Sequence, residues 1–402
     1  MKSTIQPYFR NVGVIALPYH DWNEYWKTPH HVLVRLARYF RVVWVHNVPE
    51  WREALSQTRA LSTASFPEPP WPGFQVYYPE RWLPIFHRPK WLAEFTFNER
   101  LRRARRILTA QGCDRFILHL WHPQFGRALS SIPHTISCYH IDDEYSFSSV
   151  EMPPDENEIR IMKSVDQVFM ISPGLIEKKG KINPHTAFAP EGVDYRAYAT
   201  PVAEPSDMRA IPHPRVGYTG VLKKQLDWPL LLSLATKHPE WSFVFVGYQA
   251  PHPEVEDYIR QMSTQRNVYF LGGKSVNELA HYPQHFDVCI MPYGLDDYTK
   301  YIYPLKLHEY LAGGKPIVGT PIRSLLDFTH VMMLASTPEE WSRALTESLA
   351  PDQVSIDHIE KRRSVARQFD WEVLVHDVAR SMCNRLGSPY KEQFSTITLA
   401  PL

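Results

Sequence analysis

Short apolar runs rich in β-branched and aromatic residues, each trailed by helix-like sequence, recur along this chain and leave few folds open to it. VGVIAL (12–17), VVWVH (42–46), FQVYYP (74–79), FILHL (116–120), HTISCYH (134–140) and QVFMIS (167–172) form one series. RVGYTG (215–220), WSFVFVG (241–247), NVYFLG (267–272), DVCIMP (287–292) and KPIVGT (315–320) form a second. Helical patterns between them, such as HHVLVRLARYF (30–40) and DWPLLLSLATKH (227–238), suit the covering layers of mostly parallel sheets. The Pro- and Ala-rich stretch AYATPVAEPSDMRAIPHP (197–214) breaks the pattern and reads as a linker. The expectation is an α/β chain with a first domain over 1–195, a linker over 196–211, a second domain over 212–365 and a helical tail over 366–402. At 402 residues the chain exceeds a single ordinary core. Two such domains enclose a cleft, and ligands of open α/β sheets gather at the carboxyl ends of the strands.

Composition narrows the partners. A net charge of +1 gives no argument for a nucleic-acid partner, and none is expected. Cys113, Cys138, Cys289 and Cys383 have no paired spacing and read as isolated buried thiols, so neither a disulfide framework nor a zinc site is expected. No window approaches the length of an apolar membrane span, and a cytoplasmic protein is the plain expectation.

PLKLHEYLAGGKPIVGT (304–320) carries the densest chemistry. On a helix, Lys306 and Glu309 share a face. The glutamate could accept from two neighbouring ribose hydroxyls and the lysine could meet a diphosphate, while a surface ion pair closed by Gly313 and Gly314 fits the spacing equally. Gly220 and Gly247 end two earlier strands, where glycine permits close backbone approach to a ligand, and Lys223 with Lys224 follows the first. Neither G-x-G-x-x-G nor G-x-x-x-x-G-K-[ST] stands where a dehydrogenase or P-loop enzyme needs it.

Together, Gly217–Gly220, YFLGGKSVNEL (269–279) before a strand ending at Pro292, and Pro304–Val318 resemble the donor half of GT-B glycosyltransferases. The resemblance is to retaining enzymes of bacterial polysaccharide, teichuronic acid and exopolysaccharide assembly. It implies two Rossmann-like βαβ domains facing each other across a cleft, with a C-terminal helix crossing back to the first. Glu309 would hold the ribose. Lys223 or Lys224, helped by Lys306 and with Leu307 beside it, would meet the diphosphate. Gly272, Gly273 and Val276 would flank the base. Tyr301 stands where the family often has a first glutamate, which leaves Asp296 and Asp297 as the nearest carboxylates for the sugar.

The first half resembles the acceptor domain of the same group, with departures. Lys27 and Thr28 precede Pro29 where an arginine is common, His140 stands where Asp is frequent, and Glu191 replaces an asparagine. His122, His140, Asp142 and Asp143 cluster after two strands and are the candidate catalytic groups; Tyr19, Asp21 and Trp22 are the acceptor-side candidates. No metal site is expected, since His140 with Asp142 supplies two ligands only. The implied activity is transfer of a hexose-type sugar from a nucleotide sugar, UDP-linked by preference, to a glycan, lipid-linked or small-molecule acceptor with retention. No permanent cofactor is implied. A nucleotide-sugar 2-epimerase or a non-catalytic binding protein of the same fold is the alternative. Finally, KWLAEFTFNERLRRARRILTA (90–110) gathers Arg100, Arg102, Arg103, Arg105 and Arg106. It reads as a solvated basic face or as a peripheral contact with anionic membrane at its inner surface.

Overall fold

The computed structural model describes residues 6–23, 26–52, 72–147 and 152–399. Its strands form two parallel sheets. The first contains β1 (Phe9–Leu17), β2 (Phe40–Val45), β3 (Phe74–Tyr77), β4 (Arg115–Leu120), β5 (Ile136–Ile141), β6 (Gln167–Met170) and β7 (Thr186–Phe188), in the order β3-β2-β1-β4-β5-β6-β7. The second contains β8 (Arg215–Thr219), β9 (Ser242–Val246), β10 (Val268–Phe270), β11 (Val288–Met291), β12 (Ile317–Gly319) and β13 (Met333–Leu334), ordered β10-β9-β8-β11-β12-β13. β7 and β13 are too short to stand out as apolar runs.

Both orders reverse once, at β1/β4 and at β8/β11. Loops leaving a sheet at such a switch point diverge and open a crevice. The segments after β1, β4, β8 and β11 are therefore the ones the topology offers to a ligand. The sheets themselves are core: Val14, Ile15 and Ala16 of β1 and Phe243–Val246 of β9 are fully buried, and apolar side chains cover both faces of the first sheet.

The expected helical stretch over 354–387 is two helices, Ile356–Gln368 and Trp371–Leu386. Asp370 separates them by capping the second: its carboxylate accepts from the Glu372 amide at 2.7 Å. The first helix packs on Lys306–Ala312, where Gly314 has φ +71° and a Cβ would sit 2.7 Å from Ile359. Trp371, Val375, Ala379 and Met382 of the second helix are buried in the first domain's core, so the chain crosses back at Phe369–Trp371. That crossing lies beside the outward one: Val193 donates to the Phe369 carbonyl at 3.0 Å and receives from Trp371 at 2.9 Å. The stretch read as a linker is not featureless, because it opens with the helix Tyr195–Ala199, whose Tyr198 is buried.

All four cysteines are buried and unpaired. Among the described residues no helix is long and apolar enough to cross a membrane. The basic face of the helix Lys90–Ala110 is only partly free: Arg102 and Arg106 are exposed, whereas Arg100 and Arg103 are engaged. Arg100 is buried, donating to the Leu83 and Pro84 carbonyls at 2.7 and 3.1 Å. Arg103 pairs with Glu80 and Glu99, and Arg106 reaches Glu99 at 3.3 Å.

Candidate functional site

Three strand ends of the second sheet are drawn tightly together. The Gly220 amide donates to Val246 at 2.8 Å, and the Gly247 amide to Gly272 at 2.9 Å. A Cβ on Gly247 would lie 1.9 Å from the Gly220 carbonyl oxygen, and Gly220 itself has φ +123°. Side chains are excluded at both positions, which leaves the floor of the crevice as bare backbone.

Lys306 stands over this floor. Its ammonium donates to the Tyr293 hydroxyl at 3.0 Å and lies 5.1 and 5.5 Å from the Tyr218 and Tyr293 ring centres. The aromatic walls hold the charge in place without neutralising it. Lys223 is recessed beside it, and burial, then Lys306 and Lys27, push its pKa down to about 8, with Asp143 opposing. Lys27, from the first domain, is also lowered by burial while Asp142 and Asp143 oppose the shift. Three lysines from two domains thus crowd one space, an arrangement that an anion relieves. Lys224 points outward and is exposed.

Glu309 lines a cavity of about 910 Å³ between the domains, together with Val276, Tyr198, Trp26, His31 and Trp371. Burial raises its pKa; the Tyr198 hydroxyl, which donates to it, and Lys306 pull the other way. The surface-pair reading of Lys306 and Glu309 is therefore displaced, since the glutamate faces this cavity and the lysine bonds a tyrosine. Leu307 is wholly buried in the second core and offers no side chain to a ligand. Gly272 and Gly273 lie in the loop after β10, Gly272 with φ +72° and open space where a Cβ would be. Asp297 is exposed in a separate depression with Lys300 and Arg323, away from the lysines, and Asp296 is engaged in capping the Tyr298 and Thr299 amides at 2.9 and 2.7 Å.

On the first domain's wall, Asp142 is half-buried and accepts from the Tyr145 hydroxyl; desolvation, with Asp143 next to it, raises its pKa to about 6. Asp143 is exposed and accepts from the Tyr298 hydroxyl of the other domain at 2.8 Å, a hydrogen bond across the cleft. The loop carrying them is braced from beneath, where the buried Lys179 ammonium meets Glu158 at 2.9 Å and Glu144 at 3.3 Å. His122 Nδ1 accepts from the Gln124 amide at 3.2 Å, which leaves Nε2 to carry the proton, and its ring stacks on Tyr19 at 4.4 Å. Asp21 lies 3.9 Å from His46.

Two expected site residues of the first domain, like Leu307 of the second, belong to the core instead. His140 is buried, stacked at 4.0 Å on Trp121, with neither ring nitrogen hydrogen-bonded; burial drives its pKa well below the ordinary value, so it stays neutral. Its alternation along β5 turns it to the sheet face rather than the strand end. Trp22 is 2% exposed and packs on Trp44 and Phe74. Tyr301 is 4% exposed, closed in against the first domain, where a Cβ on Gly174 would lie 2.4 Å from the Lys300 carbonyl oxygen.

The walls are therefore a bare-backbone floor beneath Lys306 with Lys223 beside it and Lys27 facing from the first domain, the Glu309 cavity to one side, and a histidine and carboxylates opposite. Solved structures share the fold over most of the chain. The Anabaena protein HepE, in complex with UDP and glucose, superposes with a TM-score of 0.64 at 14% identity, covering 92% of this chain and 99% of that one. The lipopolysaccharide outer core galactosyltransferase WaaB in its apo form gives 0.57 at 11%, covering 93% and 99%. This chain has the GT-B glycosyltransferase fold. Within it, residues 213–350 match the family model for glycosyl transferases group 1, the half of the GT-B fold that holds Lys223, Lys306 and Glu309. A Bacillus subtilis (strain 168) protein, named as the teichuronic acid biosynthesis glycosyltransferase TuaH, is 29% identical over 237 residues. That alignment spans 56% of this chain and 58% of TuaH.

Sequence reasoning named Lys223, Lys306, Glu309, Val276, Tyr19, His122, Asp142 and Asp143, which lie on the two walls. It passed over Lys27, Tyr198, Tyr218, Tyr293, Tyr298 and Glu191 as site residues. The signal for Lys27 and Glu191 was their departure from the acceptor-domain pattern; the tyrosines gave none, because only the fold brings them to the lysine and the carboxylates.

Proposed function

We propose that this protein is a glycosyltransferase that moves a hexose-type sugar from a UDP-linked donor to an acceptor hydroxyl with retention. The observation that carries the reading is Lys306 over the Gly220–Gly247 backbone, with Lys223 beside it and Lys27 facing them from the first domain, next to half-buried Glu309 in a cavity of about 910 Å³. The lysines would neutralise the diphosphate as it departs, and fixed cations in a recessed site stabilise developing charge better than water does. Glu309 would hold the ribose diol. His122, with its Nε2 proton free, would donate to a sugar hydroxyl, and Asp143 would face the acceptor once Tyr298 releases it. UDP is supported by the ligands named with HepE and with the E. coli trehalose-6-phosphate structure bound with UDP-2-fluoro glucose, which matches with a TM-score of 0.62 at 12% identity.

The test is incubation of the purified chain with UDP-, GDP- and ADP-hexoses, with and without glycan and lipid-linked acceptors, scoring nucleoside diphosphate release. Acceptor-dependent release from UDP-hexose is expected. Acceptor-independent release with an epimerised sugar would favour the 2-epimerase that the paired carboxylates would also suit.

The acceptor side of this reading includes contact with the inner face of an anionic membrane, and the structure shifts its basis. Arg100 and Arg103 of Lys90–Ala110 are engaged, while Arg102 and Arg106 are exposed, as are Trp91 (67%), Trp82 (57%) and Phe95 (49%), beside Lys90 and Arg88. Exposed indoles flanked by cations suit an interface. Co-sedimentation with anionic vesicles should be lost in Trp82→Ser/Trp91→Ser; binding that survives that change removes the membrane contact.

A further inference from the structure

We propose that Glu191 binds the transferred sugar, its carboxylic acid holding a donor hydroxyl from the first domain's side of the cleft. This rests on the reading of the cleft as a nucleotide-sugar site. Glu191 is 5% exposed; one carboxyl oxygen accepts from the Thr28 hydroxyl at 2.5 Å and the other, also buried, has no hydrogen-bond partner. A buried oxygen left unpaired destabilises a fold unless something completes it.

Its position is rigidly set. Gly192 follows, where a Cβ would lie 2.8 Å from the Phe369 carbonyl oxygen and from Trp371 and Leu374, and Val193 is paired to the returning chain on both its polar groups. Glu191 is thus pinned where both crossings between the domains meet. From there it lies within electrostatic reach of Asp142, on the loop after β5, and of Glu309, on the opposite domain's helix. Tyr303, whose hydroxyl bonds His308 at 2.9 Å, also feels its charge, and Lys27 is the residue before its partner Thr28.

Burial first, then these two carboxylates, raise the Glu191 pKa to about 8, against the Thr28 hydrogen bond. At neutral pH it is a protonated acid, able to donate and accept at once, as a sugar hydroxyl requires. The carboxylates first considered for the sugar, Asp296 and Asp297, line another depression, where Asp296 Oδ1 caps its own loop, and Tyr301 is closed into the domain contact.

Calorimetry on the full chain would compare UDP-, GDP- and ADP-hexoses with their matching diphosphates, for the wild type, Glu191→Gln and Glu191→Leu, from pH 6 to pH 9. In the wild type the advantage of the preferred sugar nucleotide over its diphosphate should fall as pH rises through about 8, where the acid loses its proton. Glu191→Gln should keep that advantage at every pH, and Glu191→Leu should lose it at least fivefold with diphosphate affinity unchanged. A Glu191→Leu protein that does not fold leaves the pH contrast between wild type and Glu191→Gln to decide. An advantage that is independent of pH in both, or equal losses for sugar nucleotide and diphosphate, overturns the role of Glu191. A wild type that binds none of the diphosphates overturns the nucleotide-sugar reading itself.

Discussion

The two walls of the cleft are built in opposite ways. The second domain's wall is local in sequence: Gly220, Lys223, Gly247, Tyr293, Lys306 and Glu309 fall within one run of β–α units, and its ligand groups are mainly cationic. The first domain's wall is assembled from Tyr19, Lys27, His122, Asp142, Asp143 and Glu191, gathered from loops after four strands, and is mainly acidic. A nucleoside diphosphate is a fixed chemical shape that demands a fixed set of donors, whereas a wall meeting a sugar and its acceptor can be met by many combinations of carboxylate and imidazole.

The largest effect should come from breaking the cationic wall. Lys306→Ala removes a charge held by two tyrosines and should weaken diphosphate binding by about 1.5–3 kcal/mol, the range for a hydrogen bond to a charged group, or roughly ten- to more than hundredfold. Nucleoside binding should hardly change, and calorimetry with UDP and uridine measures both. Equal losses for the two ligands would place Lys306 elsewhere than on the phosphates. Lys223 adds a pH dependence. With its pKa lowered to about 8, it is increasingly neutral as pH rises past that value, so UDP affinity should decline there in the wild type and more gently in Lys223→Ala.

That asymmetry also sets how much could be read in advance. The apolar runs placed most of both sheets, because strands covered on two faces leave an unmistakable composition. They missed β7 and β13, whose three and two residues bury too little to leave a pattern. Lys306 and Glu309 were legible because one helix face orders both. His140 and Trp22 were misread because proximity to a strand end in sequence does not say which way a side chain turns: β5 directs His140 into the stack with Trp121, and Trp22 folds back onto Trp44. Of the arginines of Lys90–Ala110, Arg102 and Arg106 are exposed as a solvated face requires, whereas Arg100 and Arg103 are engaged by the Leu83 and Pro84 carbonyls and by Glu80, in a preceding loop that no helical periodicity reveals.

A smaller effect should separate ribose from phosphate on the same wall. Glu309→Gln keeps size and loses charge, and should weaken UDP by about 1–2 kcal/mol while affecting 2′-deoxy-UDP less. Stability should move the other way. Burial raises the folded-state pKa of Glu309, so as pH rises above the ordinary carboxylate range the unfolded chain releases this proton before the folded one does. The native state therefore loses stability over that window, and Glu309→Gln, which carries no such proton, should melt at an equal or higher temperature at pH 7. A lower melting temperature would show that the carboxylate is a structural partner of Tyr198 before it is a ligand.

The smallest effect should appear where the walls touch. Tyr298 donates to Asp143 across the cleft at 2.8 Å, while its ring packs 5.3 Å from Phe147. Tyr298→Phe keeps the packing and removes one hydrogen bond to a partly solvated carboxylate, a change worth about 1 kcal/mol or less after water replaces the lost partner. If the bond only joins the domains, the variant should lower the melting temperature slightly and leave turnover as it was. If the bond also occupies Asp143 until an acceptor arrives, freeing the carboxylate should lower the acceptor KM by up to about fivefold, the kinetic equivalent of 1 kcal/mol, with donor affinity unchanged. Asp143→Asn distinguishes the two, because it keeps a hydrogen bond to Tyr298 but has no charge to offer an acceptor. Under the second account its turnover falls and adding Tyr298→Phe brings no recovery. An acceptor KM that stays at the wild-type value in Tyr298→Phe assigns the contact to domain closure alone and leaves the acidic wall without a gate.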